Sequence, residues 1–451
     1  MMKQEKMNGE HGMGKKTRFL ILILLLVTVF LHAQENDGFG FDDTDGFGFK
    51  SPSGFSVNIG GEVSAGFTGF FEYFDSADEI KSIRLGDIFL GSLDFAASTS
   101  FAEGLVKLNL RPVFDGSSPV ALDEAFVRAF FGPVSVLGGL KKLSWGRADS
   151  FGTLDVINPL DYRDLTKLSD PQSVKIARPM IHADWSIASF SKLELVFVPW
   201  FEGHKFDASG RWMPNQMKSL LGMGIDIGSY YPDTGTLEYA QAASRFTTSI
   251  AFFDLGFQYY YGRLKRPSLV LRMTPAPLPL VDYSRIHQIG FDMAALIAGF
   301  NIRAEAGANI TNDLDGTDGT VENPSIVWSL GFDRDLFWGI NLNLQGAGSL
   351  RLFHDSIGAS IAEDCEAETD LSSTRLTGII SKKFLRDELE IKLTGLWGIE
   401  DMDFLLMPSI IWSRNDLSAE LSVGVFGGDR EGELGQYRDN GFAKIVLSYK
   451  F

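Results

Sequence analysis

The chain has 451 residues, a single cysteine and a formal net charge of −17. One cysteine excludes an intramolecular disulfide, and so acidic a chain is a poor partner for nucleic acid. Length alone would suggest two or three domains, but no long linker and no switch to helical periodicity interrupts it, so one large domain is expected.

At the N-terminus, Lys15, Lys16 and Arg18 precede an apolar run from Phe19 to Leu31, and Ala33 closes a candidate cleavage site. This is the layout of a secretory signal peptide, and the run is short for a spanning helix. Residues 1–33 are expected to be a leader, with Met13 preferred to Met1 or Met7 as its start. Leu31 is larger than the residue a cleavage site wants there, which leaves the cut open. An uncleaved anchor is the alternative. No cysteine follows the run to carry a lipid. Removing the leader leaves a net charge of −20, because it carries Lys3, Lys6, Lys15, Lys16 and Arg18 against Glu5 and Glu10. Next, Asp-Gly-Phe-Gly-Phe occurs twice, at Asp37–Phe41 and Asp45–Phe49. Gly and Asp disfavour a packed element, so 34–53 is expected to be a flexible segment before the first strand. It is far too short for the folded plug of an energy-coupled receptor.

From residue 54 to the end the dominant signal is period two. Phe300, Ile302, Ala304, Ala306, Ala308 and Ile310 share one face; Asn301, Arg303, Glu305, Gly307 and Asn309 share the other. Val106, Leu108 and Leu110 oppose Lys107, Asn109 and Arg111. Ile340, Leu342 and Leu344 oppose Asn341, Asn343 and Gln345. Leu389, Ile391 and Leu393 oppose Glu390, Lys392 and Thr394, and Leu417 to Val425 oppose Ser418, Glu420, Ser422 and Gly424. Strands are expected to begin near 55, 82, 104, 120, 133, 178, 191, 244, 255, 284, 299, 324, 337, 374, 388, 403, 417 and 440. Those near 82, 120 and 178 carry the weakest pattern, so the count is eighteen or sixteen. Tight turns are read at Ala102–Gly104, Gly132-Pro133, Asp254, Arg334-Asp335, Arg386-Asp387 and Asn415-Asp416. Longer connections fall at 147–177, 203–243, 265–283, 352–372 and 427–439.

Strands that alternate in this way, joined by short turns at one end and long loops at the other, describe an all-β transmembrane antiparallel barrel. An even count puts both ends of the barrel on the short-turn, periplasmic side. The apolar face would meet lipid, and the polar face water in a lumen wide enough for a channel. Candidate lumen-wall residues are Lys107, Arg111, Arg303, Lys392, Lys444 and Lys450 against Asp94, Glu194, Glu305, Glu390 and Glu420. Trp328, Trp338, Trp397, Trp412 and the Tyr259–Tyr261 cluster are candidates for interfacial girdles.

The last strand, ending Tyr449-Lys450-Phe451, resembles the assembly signal of bacterial outer-membrane proteins. The segment Trp145-Gly146, Asp155, Asn158-Pro159, Asp161 resembles porin-like barrels that carry such a sequence after an early strand. That resemblance implies a pore of the cell outer membrane, with this loop folded into the lumen. It gives a candidate constriction: Arg147, Asp149, Asp155, Asp161, Arg163, Asp164 and Lys167. Packing on the outer rim is the alternative. Asn158-Pro159 also reads as a helix start, with Leu160, Leu165 and Leu168 packing behind it. Implied partners are membrane lipids, the barrel-insertion machinery and small polar solutes. The spaced Phe of 37–49 resemble sites that periplasmic chaperones bind on unfolded barrels.

No Gly-x-Ser-x-Gly elbow, paired-His zinc motif or phosphate loop is present. His182, His204, His287 and His354 are scattered. No enzyme activity, cofactor or metal is expected. "AEDCEAETD" (362–370) lacks calcium-loop spacing and reads as a solvated acidic face, with Cys365 an incidental thiol. The expected function is diffusion of small polar solutes. A closed barrel whose loops bind or adhere at the surface is the alternative, and a lipid-modifying barrel enzyme stands third.

Overall fold

A computed structural model of the chain describes residues 54–71, 89–110, 120–272 and 278–451, with 47–50 and 82–84 described by backbone alone. Its main sheet holds twenty antiparallel strands. Two are short segments, Phe47–Lys50 and Ser82–Arg84. The other eighteen form the barrel. They are β1 (Ser56–Phe71), β2 (Phe89–Ser98), β3 (Ala102–Leu110), β4 (Val120–Phe131), β5 (Val134–Lys141), β6 (Arg178–Ala188), β7 (Ser191–Val198), β8 (Gln241–Ile250), β9 (Phe253–Arg263), β10 (Arg285–Ile297), β11 (Phe300–Thr311), β12 (Ser325–Asp335), β13 (Ile340–Arg351), β14 (Ser372–Phe384), β15 (Leu389–Gly398), β16 (Asp403–Arg414), β17 (Leu417–Gly427) and β18 (Gly441–Lys450).

Each strand pairs with its neighbours in sequence, and β1 closes on β18 in a register running from Glu62↔Lys450 to Phe71↔Gly441. Phe451 extends that ladder. Its N–H donates to the Gly61 carbonyl at 3.0 Å, and the Gly61 N–H donates to the Phe451 carbonyl at 2.9 Å. Closure removes the unpaired edge that hydrocarbon would not tolerate.

The two faces fall as the alternation predicts. Val127, Ile181, Leu195, Phe257, Ile289, Leu330, Ile391 and Ile445 point outward and are exposed. So continuous an apolar surface would be an aggregation hazard in water and is what lipid requires. The chain is a transmembrane β-barrel of the outer-membrane type. Its short turns and the adjoining strand end carry exposed aromatics: Phe101, Phe190, Phe252, Phe337 and Trp338 in the turns, and Phe131 at the end of β4. Trp412 lies toward the same end of the barrel, while Trp328, Trp397, Tyr259 and Tyr261 lie toward the other. Tyr260 departs from the expected cluster, pointing inward to donate to Gln241 Oε1 at 2.6 Å.

Other expectations need local correction. The first tight turn is Thr99–Phe101, because Ala102 already pairs with Ala129. The turn expected at Asp254 is Ala251-Phe252, and the one expected at Arg334-Asp335 is Leu336–Gly339, since Asp335 still pairs with Asn341. The strand expected near 82 is split: Ser82–Arg84 pairs with Thr68–Phe70 and β2 pairs with Ser56–Ala65. On the long-loop side, 399–402 is a tight turn and 312–324 is an additional loop. Phe47–Lys50 pairs with Ser56–Ile59. Residues 1–33, expected to be a leader, and the rest of 34–53 lie outside the described residues.

Phe451 provides the first test. A charge at the membrane interface costs on the order of 1 kcal/mol or less, too little to unfold a barrel. Phe451→Asp should therefore refold normally in detergent, shown by a heat-shifted gel band. If the insertion machinery reads this residue, the folded band should fall severalfold in cells. Equal cellular amounts would rule that role out.

Candidate functional site

Residues 142–177 join β5 to β6 and form the third connection on the long-loop side. The first half of this loop lies against lumen-facing side chains of β8–β13. Glu305 on β11 is only 3% exposed. Its carboxylate accepts from the backbone N–H groups of Arg147 (2.6 Å), Ala148 (2.9 Å), Thr153 (3.0 Å) and Leu154 (3.3 Å), and from the Thr153 hydroxyl (3.2 Å). Converging amides of this kind make an anion-binding nest, and they satisfy a charge that is costly to bury bare. Gly146, at φ +89°, makes the nest possible, because a Cβ there would sit 2.1 Å from Glu305 Oε1.

Further contacts fix the same stretch. Arg147 Nε donates to Asp292 Oδ1 at 3.2 Å, and Arg245 donates to the other oxygen at 2.7 Å. Asp149 is held by Arg303 and, at 2.8 Å, by the Asn343 amide. Gln345 Oε1 accepts from the Asp149 and Ser150 N–H groups at 3.0 and 3.2 Å. Gln258 donates to the Leu154 carbonyl at 2.8 Å. The Leu154 side chain fills a notch over Gly290 and Gly307, where an added Cβ would meet its Cδ2 at 2.7 and 3.0 Å.

No helix starts at Asn158-Pro159. The Asn158 carbonyl oxygen accepts from the Leu143 N–H at 2.9 Å, and its amide donates to the Lys141 and Ile176 carbonyls at 3.0 and 2.8 Å. It clasps the two ends of the loop. The one helical turn is the 3-10 turn Leu165–Lys167, capped by Asp164 accepting from the Thr166 N–H at 3.1 Å. Leu165 and Leu168 pack in one cluster with Phe70, Leu396, Leu405, Met407, Phe426 and Phe442 of the barrel wall. The loop therefore runs from β5 along β10–β13 and meets the wall formed by β15–β18 and β1. At its base, Trp145 and Ile157 pack on Leu137, Met180 and Tyr260.

Of the seven constriction candidates, Arg147 and Asp149 are tied to the wall. Asp155 pairs with Lys175 at 2.5 Å; burial lifts its carboxyl above the ordinary range, although Lys175 opposes the shift. Asp161 pairs with Arg163 at 2.5 Å, and Asp164 with Lys167 at 3.3 Å. For both acids burial acts upward, but donors and neighbouring cations outweigh it and leave the carboxyls below their usual range.

On the wall, Lys107 lies 3.9 Å from Asp94, Arg303 bridges Asp149 and Asp333, and Glu194 is buried beside His182 and Lys192. Glu390, Lys392 and Glu420 are inward-facing and partly buried. Arg111 lies outside the described residues. Tyr449 faces outward, and the Phe451 ring packs on Gly61. Sequence reasoning missed Asp292, Arg245 and Gln258, and placed Gln345 on the polar face without singling it out. Gln258 was within reach: if Leu255, Phe257, Tyr259 and Tyr261 face lipid, a Gln between them faces the lumen.

The other loops fold over the same mouth. Residues 199–240 contain the short helix α1 (Asn215–Gly222), and 264–284 contain a hairpin of Ser268–Arg272 with Leu278–Asp282. Leu220, Ile225 and Ile227 pack on Leu269 and Leu271. Glu433 sits between Arg266 (2.6 Å) and Arg375 (2.5 Å). Burial acts against its charge, but the two guanidiniums hold the carboxyl down at about 2. His204 Nδ1 accepts from the Leu160 N–H at 2.9 Å, and burial keeps the ring neutral with a pKa of about 3. Between these loops and 142–177 lies a cavity of about 490 Å³, lined by Asp149, Asp155, Glu322, Lys175, Lys265 and Arg266 among others. The acidic stretch 362–370 is not the solvated face expected. Asp364 accepts from the Gly358 and Glu366 N–H groups, and buried Glu366 pairs with Arg351 at 2.7 Å.

No protein-family model and no curated protein matches the chain. Solved structures do. OccK8 (OprE) of Pseudomonas aeruginosa superposes with a TM-score of 0.50 at 10% identity, covering 88% of this chain and 98% of that one. OpdK of the same organism, solved with vanillate, gives 0.50 at 7% identity over 88% and 98%. The outer membrane channel DcaP of Acinetobacter baumannii gives 0.44 at 9% identity over 90% and 99%. At such identities the likeness is one of fold.

Two measurements test this arrangement. Hydrogen bonds to a charged group contribute about 1.5–3 kcal/mol each, and Glu305→Ala removes all five that this carboxylate accepts. Even the net loss of two would cost about 3 kcal/mol of local stability, so the substitution should speed amide exchange at Arg147, Ala148, Thr153 and Leu154 by at least about 100-fold while the barrel strands stay protected. Unchanged exchange would show that the nest does not hold the loop. The second concerns Glu322, whose carboxyl is pushed up to about 7 by burial and by the Glu366 carboxylate. Freed to water it would titrate near 4.5. A raised acid favours the docked state while protonated, so docking of 312–324 should weaken as pH rises from about 4.5 to 7. Deuterium uptake corrected for intrinsic rate should show this, and Glu322→Gln should abolish it.

Proposed function

We propose that the chain is an outer-membrane porin through which small polar solutes diffuse, with the 142–177 loop setting the narrowest point of the lumen. The loop's attachment to lumen-facing residues on widely separated strands carries this reading: a segment so placed subdivides the lumen at a fixed position. The adjoining cavity of about 490 Å³ is of the size that holds small molecules, and its walls bear both signs of charge. OpdK, of the same fold, was solved with a small molecule, vanillate. A closed barrel with adhesive loops has no observation in its favour. In this reading residues 1–33 direct export and 34–53 lead into the barrel.

Charges in a confined passage act more strongly on ions than charges on an open rim, because the effective dielectric is lower. Asp161 and Asp164 are each paired with a cation, so replacing both by Asn uncovers Arg163 and Lys167 as well as removing two negative charges. In planar bilayers the double variant should shift the reversal potential toward anion selectivity. Shortening 152–170 should raise single-channel conductance more than an equal cut in 203–243. An open pore that responds to neither change would place the constriction elsewhere.

A further inference from the structure

The two strands that follow the long loop carry a cluster that solute passage does not explain. His182 and Asp184 on β6 and Glu194 on β7 face the lumen, and Asp184 and Glu194 are cross-strand partners. His182 Nε2 lies 3.4 Å from Asp184 Oδ1 and 3.4 Å from Glu194 Oε1. One ligand atom from each residue falls within 4.8 Å of the other two. The His182 side chain is only 3% exposed, and neither ring nitrogen has a hydrogen-bond partner. A buried polar ring left unpaired is costly, yet this one aims a nitrogen at two carboxylates.

The spacing has a chemical meaning. A tetrahedron whose corners lie about 2.0–2.1 Å from its centre, the usual Zn–N and Zn–O bond lengths, has edges of roughly 3.4 Å. We propose that His182, Asp184 and Glu194 form a binding site for a divalent transition-metal ion of the zinc class, with the fourth position open to the lumen. Two carboxylates and a neutral imidazole balance a doubly charged ion. Ser135 Oγ, 3.4 Å from Asp184 Oδ2, orients that carboxylate from β5. On the β8 side, Arg245 is engaged by Asp292 rather than competing for Glu194.

Lys192 is the competitor. Its ammonium lies 2.6 Å from Asp184 Oδ1 and 2.9 Å from Glu194 Oε1, where a single charge bridges both acids. Its side chain is 43% exposed and ends a flexible stem, so an incoming ion displaces it into the lumen. Lys192 therefore weakens the site without being a ligand, and its removal should strengthen binding. A purely structural ion-pair cluster predicts the reverse.

The test adds Zn²⁺ alone to the folded barrel in detergent and reads affinity by competition with a chromophoric chelator. The wild-type chain should bind one ion. Lys192→Gln should tighten binding at least tenfold. His182→Ala and Glu194→Gln should each weaken it by tenfold or more, and Ser135→Ala by about tenfold, the usual effect of an orienting partner. A heat-shifted gel band establishes that each variant is folded. If neither the wild type nor Lys192→Gln binds one equivalent, the cluster is an ion-pair network and the proposal fails. If a folded His182→Ala binds as the wild type does, the ion lies elsewhere and the proposal fails equally. Lys192→Gln changes no ligand and keeps a polar side chain at a partly exposed position, so with its gel band showing it folded, that arm decides the question even if the ligand variants do not fold. The site does not depend on whether the lumen conducts.

Discussion

A single buried carboxylate organises the interior of this barrel. Glu305 stands on the lumen face of β11 and is wrapped by four backbone amides of a loop that begins more than 150 residues earlier. A carboxylate facing a water-filled lumen needs no protein partner. One covered by a loop must be paired, or it forfeits its solvation. Covering Glu305 is therefore possible only if the loop brings its own donors, and a stretch bent at Gly146 does so. The remaining polar contacts follow from that docking: once 146–154 lies on the wall, Asp292, Gln258 and Gln345 also lose water and are each met by a loop group.

The second half of the loop is held by a different force. Phe70, Leu396, Leu405, Met407, Phe426 and Phe442 point inward, where a simple aqueous lumen would have polar groups. They are buried because Leu165, Leu168, Trp212, Leu434 and Tyr437 cover them. The inner wall thus divides into a polar arc that positions the loop directionally and an apolar arc that holds it by excluding water. Directional contacts fix register and area burial supplies strength, so the two arcs are complementary.

The exterior was legible in the sequence because lipid imposes period two on each outward face, strand by strand, with no need of distant partners. That suffices for the strand order, for a count of eighteen or sixteen and for five of the long loops, though not for 312–324. The interior was legible only where it obeyed the same alternation, as with Arg303, Glu305 and Asn309. Where a loop covers the wall, inward residues turn apolar and the period blurs: Phe404 to Met407 reads as one hydrophobic run although Leu405 and Met407 face in and Leu406 faces out. Asn158 was misread for a related reason. An Asn before Pro offers an acceptor to a nearby N–H, and a helix start is the commonest taker. Here the taker is Leu143, on the opposite limb of the loop, which no local pattern reveals. The acidic stretch 362–370 misled in the same way, since only the folded loops bring Arg351 to Glu366.

These observations bear on how such a lumen can select. A loop fastened by a buried carboxylate, a clasp at its base and an apolar cluster at its far end is not poised to swing. Its charges are consequently fixed in position, and fixed charges discriminate among solutes without paying reorganisation at each passage. Pairing tempers that field: Asp155, Asp161 and Asp164 each sit beside a cation, so the loop presents dipoles rather than net charge. In the porin proposed above, a solute would therefore meet alternating short-range attractions of both signs. Such a surface would favour zwitterionic or neutral polar molecules over strongly charged ones of either sign, because the latter gain at one site what they lose at the next.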